Sequence, residues 1–372
     1  MDRTSKITRR GFVQSGAGAL ATTGIFAGIA EAGSISTFGT TQETAKPHST
    51  GVSRMSGKIA LEEHFALPEG DNAYHIAPTP DFRLQMVDLG ERRLADMDRG
   101  GVEICILSHT APGLQAILDT SAAIAAARRW NDYLAEKIAK YPKRLRGFAA
   151  LPMQDPQAAA QELTRCVKEL GFCGALVNGF SQVGVADSAV FYDLPQYRPF
   201  WAVVEQLGVP FYLHPRPPLP SRAQVYEGHP WITGSSWGFA VETSIHALRL
   251  MGSGLFDEYP KLQIILGHLG EGLTFGIWRV DNRIVRLKEK TNAKRSMAEY
   301  LRENFYITTS GQFRTPSLTE VILEVGADRV MYSVDYPYED IEAGAAWFDQ
   351  APLAELDRIK IAYGNARKLF RL

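Results

Sequence analysis

The chain has 372 residues, with 45% hydrophobic and 22% charged side chains and a formal net charge of −1. That balance suits a globular protein with a normal core, and it excludes an electrostatic footprint for nucleic acid or an anionic membrane. Three cysteines, Cys105, Cys166 and Cys173, are an odd and sparse set without a CxxC pair, so they are expected as buried small hydrophobes, with neither disulfides nor structural zinc.

Taken in chain order, residues 1–32 read as a twin-arginine-type export signal. Arg3, Lys6, Arg9 and Arg10 make the opening basic, and an apolar stretch rich in Gly and Ala follows from Ala17 to Ala30. That stretch is shorter than the roughly 20 residues of a comfortable membrane span. Ala30-Glu31-Ala32 supplies a small-residue cleavage pattern, and Thr8-Arg9-Arg10-Gly11-Phe12-Val13 is similar to the twin-arginine signal. The expectation is export to the periplasm, with no stable membrane span once the signal is removed. Residues 33–56, rich in Ser, Thr and Gly, predict a flexible linker, and the folded domain is expected over residues 57–372.

From Lys58 onward, short β-branched runs alternate with amphipathic segments. Strands are predicted over Lys58 to Leu61, Glu103 to Leu107, Leu145 to Leu151, Cys173 to Val177, Pro210 to Leu213, Gln263 to Leu266, Asn304 to Thr308 and Arg329 to Val334. Helices between them include Ser121 to Tyr141, Pro156 to Glu169 and Ala240 to Phe256. Strands alternating with helices through one domain predict an α/β fold, a (β/α)8 TIM barrel. An open doubly wound sheet is the rival, weakened because no glycine-rich phosphate fingerprint follows the first strand. The segment from Pro215 to Trp237 is long for a βα loop and is expected to help build a site.

Barrel enzymes place their chemistry at the carboxyl ends of strands. The first predicted strand runs into Glu62-Glu63-His64, and residues two apart share a strand face. The fifth ends in His214, the sixth in Gly267-His268 and the eighth in Asp335. Carboxylates turned toward an apolar interior are costly unless paired or bound to metal. One divalent ion would satisfy Glu62, His64, His214 and Asp335 together. Imidazole with carboxylate suits zinc, manganese or iron better than magnesium or calcium.

Separated stretches carry a family resemblance. They include Gly57-Lys58-Ile59-Ala60-Leu61-Glu62-Glu63-His64-Phe65, Tyr192-Asp193-Leu194-Pro195-Gln196-Tyr197, Phe211-Tyr212-Leu213-His214-Pro215-Arg216 and Gly228-His229-Pro230-Trp231. Leu266-Gly267-His268-Leu269-Gly270-Glu271-Gly272, Trp278-Arg279 and Ser333-Val334-Asp335 complete the set. From Gly57 to the end, the chain resembles the γ-resorcylate (2,6-dihydroxybenzoate) decarboxylases of the amidohydrolase-2 group, which also holds aminocarboxymuconate semialdehyde decarboxylase. The resemblance implies Glu62, His64, His214 and Asp335 as ligands of one zinc or manganese ion, with no organic cofactor. It implies His268 as the catalytic histidine, Glu271 as its hydrogen-bonding partner, Arg279 next to the site, and a homo-oligomer, dimer or tetramer. A glutamate ahead of His64, where hydrolytic relatives more often have histidine, leans toward decarboxylation. Two departures, Tyr336 in place of the family's tryptophan and Ser108-His109-Thr110 near the second strand, are expected to line the pocket and alter the substrate.

The expected reaction is metal-dependent, non-oxidative decarboxylation of a hydroxylated aromatic carboxylic acid. Asp335 would protonate the ring carbon that carries the carboxylate, while His268 and Glu271 hold the proton network. Phe65, Trp231, Phe313 and Tyr336 are candidate walls for a planar ring. Arg216 or Arg279 could meet a second polar group or a neighbouring subunit. The alternative on the same barrel is a hydrolase of a lactone or cyclic amide, with Asp335 as base to a metal-activated water. A hydratase-like lyase and a binding protein without catalysis are more remote readings.

Overall fold

Eight short apolar runs lie side by side in chain order among the described residues of the computed structural model, which are 55–69 and 79–372. They are β1 (Lys58–Phe65), β2 (Val102–His109), β3 (Leu145–Ala149), β4 (Gly174–Asn178), β5 (Phe211–His214), β6 (Ile264–Leu266), β7 (Phe305–Thr308) and β8 (Val330–Met331). Neighbours pair in parallel, as strands joined by helical crossovers do. β8 comes round to β1: Asp335 N donates to Glu62 O at 2.9 Å, and His64 N donates to Tyr336 O at 2.7 Å. The sheet is thus a nearly closed (β/α)8 barrel, as predicted. The expected export signal and the linker up to residue 54 lie outside the described residues. No described helix is long and apolar enough to cross a membrane.

Inward and outward positions alternate along each strand. Ile59, Leu61, Ile104, Ile106, Leu176 and Ile265 fill the interior around Phe148, and Leu369, Phe370 and Leu372 pack from below. Outward positions such as Ala60, Cys105, Leu107, Phe211 and Leu213 pack against the helical layer. β1 breaks this rhythm. Its register with β2 shifts between Ala60 and Glu63, so Leu61 and Glu62 both serve the interior. Ser333 stabilises the irregularity, its Oγ accepting from Leu61 N at 3.1 Å and from Glu62 N at 2.7 Å. The bulge converts a packing strand into one that presents Glu62 and His64 at the barrel mouth.

Three expectations shift in detail. The helix predicted over Ala240 to Phe256 is two, Gly238–Gly252 and Leu255–Glu258, because Gly254 takes the left-handed conformation (φ 79°) between them. β8 keeps ladder pairing at only two residues; beyond it Ser333 N donates to Thr309 Oγ1 at 3.0 Å, a side chain replacing a strand partner. Cys105 and Cys166 are buried, but Cys173 is only partly so. It precedes β4 at the end of the barrel, packed against the interior cluster on one side.

Candidate metal centre

The bulge in β1 and the ends of β5 and β8 bring Glu62, His64, His214 and Asp335 together. One donor atom from each lies within 4.8 Å of the others. Hydrogen bonds behind the imidazoles set their tautomers. His214 Nδ1 donates to Pro215 O at 2.8 Å, leaving a lone pair on Nε2. His64 Nδ1 meets Ser108 Oγ at 3.3 Å. His214 Nε2 then lies 3.0 Å from Glu62 Oε1, and His64 Nε2 lies 3.1 Å from Asp335 Oδ1. Glu62 Oε1, His64 Nε2 and Asp335 Oδ1 are nevertheless buried without a hydrogen-bond partner. Lone pairs that face one another with no proton between them are the signature of a cation site, and a divalent ion fits this donor set.

The other oxygen of Glu62 is held from beneath. Tyr212 OH and Ser310 Oγ both donate to Oε2. Thr308 Oγ1 ties them together, 2.8 Å from Tyr212 OH and 2.9 Å from Ser310 Oγ. Tyr212 is two residues before His214 on β5, so strand alternation places both inward. Gly267 leaves room for this arrangement, since a Cβ there would meet Glu62 Oε2 at 2.5 Å. Burial raises the proton affinity of Glu62, but the imidazoles of His268, His214 and His64 outweigh it and hold the carboxyl below the usual carboxylate range. Neighbouring Glu63 is turned away from the mouth, and burial pushes its carboxyl up to about 8.

His268 lies on a strained turn after β6. It has φ 49°, and Leu269 and Glu271 follow at 53° and 56°. Side chains seldom adopt this left-handed region, and strain of this kind concentrates at functional sites. The turn aims His268 Nδ1 at Glu271 Oε1, 2.7 Å away, and Nε2 at Asp335 Oδ2, 3.4 Å away. Burial opposes a charge on this ring. Glu271, Glu62 and Asp335 outweigh that, so the pKa of His268 stands well above its ordinary value. Gly311 (φ 60°) permits the contact, since a Cβ there would approach His268 Cδ2 to 2.8 Å.

A cavity of about 350 Å³ opens over these groups, lined by His214, His268 and Asp335 with Ala111, Pro215, Ser235, Ser236, Phe239, Gly311, Tyr338 and Glu339. Pro215, Ser235 and Ser236 belong to the long loop singled out in the sequence. Ala111, Phe239, Gly311, Tyr338 and Glu339 were missed; Ala111 and Gly311 lie two and three residues past β2 and β7, and Tyr338 and Glu339 seven and eight past β8, on the side where a barrel mouth is built. Tyr338 OH is 2.6 Å from Thr110 Oγ1, and its ring stands 5.7 Å from that of His64.

None of the residues expected as ring walls lines this cavity in the single chain. Phe65 points outward, between His109 and Tyr133 at 5.6 and 6.2 Å, because it lies one residue past His64 on the opposite face. Tyr336 is buried behind the site, its OH donating to Asp96 Oδ2 at 2.5 Å and its ring 4.7 Å from the Arg93 guanidinium. Phe313 packs on Trp347 at 5.7 Å, and Trp231 is exposed. Arg279 is exposed on helix Leu273–Leu287. Arg216 is not available to a substrate: it binds Phe180 O at 2.7 Å and Gln182 Oε1 at 2.6 Å, holding the loop after β4. Of the second departure, Ser108 backs His64, and His109 stacks on Trp130 at 3.9 Å.

A family model described as Amidohydrolase matches residues 81–372. The γ-resorcylate decarboxylase of Polaromonas sp. (strain JS666) is 56% identical over 324 residues, covering 86% of this chain and 99% of that protein. A crystal structure of 2,6-dihydroxybenzoate decarboxylase in complex with 2,6-dihydroxybenzoate is 55% identical, with a TM-score of 0.83, and covers 86% of this chain and 100% of that one. The 5-carboxyvanillate decarboxylase of Novosphingobium aromaticivorans DSM 12444, complexed with manganese and 4-hydroxy-3-methoxy-5-nitrobenzoic acid, is 32% identical with a TM-score of 0.79, covering 87% of this chain and 98% of that one.

Proposed function

The chain belongs to the amidohydrolase family, and on that premise we propose that it is a metal-dependent, non-oxidative decarboxylase of a hydroxylated aromatic acid such as 2,6-dihydroxybenzoate. The observation that carries the reading is the convergence of four unshared donors beneath a cavity of about 350 Å³, with a histidine of high proton affinity beside one of them. The cavity is at the small end of ligand sites, the size for one substituted ring. Glu62, His64, His214 and Asp335 would hold a divalent ion, which would supply Lewis-acid chemistry and a template for an acidic aromatic substrate. Zinc and manganese both suit these ligands, and the manganese in the carboxyvanillate relative supports manganese as the first ion to supply.

The chain's own groups move the proton. Asp335 delivers it to the ring carbon that bears the carboxylate. His268, 3.4 Å from Asp335 Oδ2 and kept protonated by Glu271, replaces it. The carbon–carbon bond then breaks, its electron pair restores the aromatic ring, and the carboxylate leaves as CO2. The test is CO2 release from 2,6-dihydroxybenzoate and related phenolic acids by the metal-loaded protein. Asp335→Asn and His268→Ala should each lower it by roughly 10²–10⁴-fold. Metal-dependent opening of a lactone or cyclic amide, with no CO2 from any acid, would move the chain to the hydrolase branch.

Two wider readings belong with this one. A homo-oligomer, dimer or tetramer, is supported by Phe275, Trp278 and Val285, which are 86%, 71% and 76% exposed on one outer helix that also carries Arg279; light scattering on the purified protein tests it. Export to the periplasm is supported by the basic, apolar and small-residue order of residues 1–32; cell fractionation with Arg9 and Arg10 replaced by lysine tests that.

A further inference from the structure

Glu62, His64, His214 and Asp335 turn donor atoms toward one point, and the backbone around two of them is gripped from behind by a helix. That helix, Glu91–Gly100, leads into β2 and buries Arg93 and Asp96, three residues apart on one face. Arg93 is 1% exposed. Its Nη2 donates to His64 O at 2.6 Å and to Gln85 O at 3.0 Å, and its guanidinium stands 4.7 Å from the centre of the Tyr336 ring. Asp96 accepts the Tyr336 hydroxyl on Oδ2 at 2.5 Å and Arg99 on Oδ1. Tyr336 O in turn accepts from His64 N at 2.7 Å.

These contacts close a circuit around two ligands. Arg93 holds the carbonyl of His64 and Tyr336 holds its N–H, so both backbone groups of that ligand are engaged. Asp335 directly precedes Tyr336 and sits at φ 78°, in the left-handed region that side chains seldom adopt. Such a conformation persists where its surroundings over-determine it. Tyr336 supplies that constraint, anchored at its ring by Arg93, at its hydroxyl by Asp96 and at its carbonyl by His64. Packing alone does not account for Arg93, because burying a guanidinium is costly and an apolar side chain of similar length would fill the same space more readily. We propose that Arg93 is a positioning residue for the metal centre. With Asp96 it fixes Tyr336 and the His64 backbone, and so sets the spacing of His64 Nε2 and Asp335 Oδ1, which stand 3.1 Å apart. The inference rests on the metal centre of the reading above, and not on the identity of the substrate.

The experiment titrates the full chain, as apoprotein, with manganese by calorimetry, and then records the electron paramagnetic resonance spectrum of the bound ion. Arg93→Met keeps much of the length and removes every donor. It is expected to weaken manganese binding roughly 10–100-fold, as for other groups that orient metal ligands, and to alter the spectrum at saturating manganese. Arg93→Lys keeps a donor for His64 O and should recover most of that loss. Tyr336→Phe deletes one hydroxyl and leaves the ring on Arg93, so binding should weaken by roughly 2–10-fold, the worth of one hydrogen bond. That milder variant decides the matter where Arg93→Met does not fold. Affinity and spectrum equal to those of the unaltered protein, in folded Arg93→Met or in Tyr336→Phe, overturn the positioning role and reduce the cluster to packing. Lysine that restores no more than methionine overturns the part played by the donor to His64. Failure of the unaltered protein to bind manganese overturns instead the metal centre on which the inference rests.

Discussion

In the lower barrel, Ile59, Ile104, Ile265 and their neighbours satisfy one another by packing alone, whereas a few residues further along the same sheet Glu62, His64, His214 and Asp335 face one another with unshared electron pairs. One end is complete as it stands. The other is complete only with a cation, and a second set of residues holds it in that state. Tyr212 and Ser310, tied together by Thr308, grip one oxygen of Glu62, Ser333 clamps the bulge, and Glu271 fixes His268. The contrast teaches that the strands supply a rigid platform by hydrophobic burial, and that the platform offsets the cost of a polar, strained mouth.

Substitutions at the two ends should therefore fail differently. The largest loss is expected from Glu62→Ala, which removes a ligand and leaves the other three donors short of a closed set. Metal content of the purified protein should collapse and CO2 release should fall by roughly 10³-fold, the several kcal/mol a Lewis acid supplies, with the barrel's circular dichroism retained. Next comes Ile104→Ala in the apolar end, 5% exposed and packed on the interior cluster. It should cost roughly 2–5 kcal/mol in urea denaturation, with CO2 release per folded molecule largely kept. Equal loss of both properties in either variant would show the two ends to be one cooperative unit.

Smaller effects sharpen the division within the polar end. Ser310→Ala deletes a donor to Glu62 Oε2 and the acceptor of His268 N, 3.1 Å away. Titration of the apoprotein with manganese should show affinity lower by roughly 10–100-fold, as for other groups that orient metal ligands. Unchanged affinity would reduce the polar floor to packing. Glu271→Gln should act through pH. The folded pKa of His268 is raised, so its stabilising charge is complete below the ordinary histidine value and is lost as pH rises through the folded one. Removing Glu271 lowers that folded pKa, so the alkaline limb of the CO2-release profile should move to lower pH. A limb that stays in place would assign the proton to another group.

The sequence bears on these two regions unequally. Strand positions were legible because period-2 runs of β-branched residues recur between amphipathic helices, and β2, β5, β6 and β7 fall within two residues of prediction at each end. The ligand set was legible because a costly residue type at a strand end asks for a partner. The supporting residues were not. Tyr212, Ser310 and Ser333 read as ordinary strand and loop polar residues until three distant strands converge on them. The aromatic walls misled for the same reason: nothing local tells Tyr336 that Asp96 will accept its hydroxyl, or Phe65 that His109 and Tyr133 stand behind it.

What the sequence by itself determined is thus the alternation of elements and the kinds of donor atom at the barrel mouth, since both follow from local periodicity and from the chemistry of single side chains. Tertiary structure decided which of those side chains meet. The β1 bulge turns Glu62 inward, the left-handed turn aims His268, and the chain beyond β8 buries Tyr336 while leaving Tyr338 and Glu339 over the cavity. Those outcomes depend on contacts between segments hundreds of residues apart, as between Ser333 and Glu62, 271 positions apart in sequence, and no local pattern encodes them.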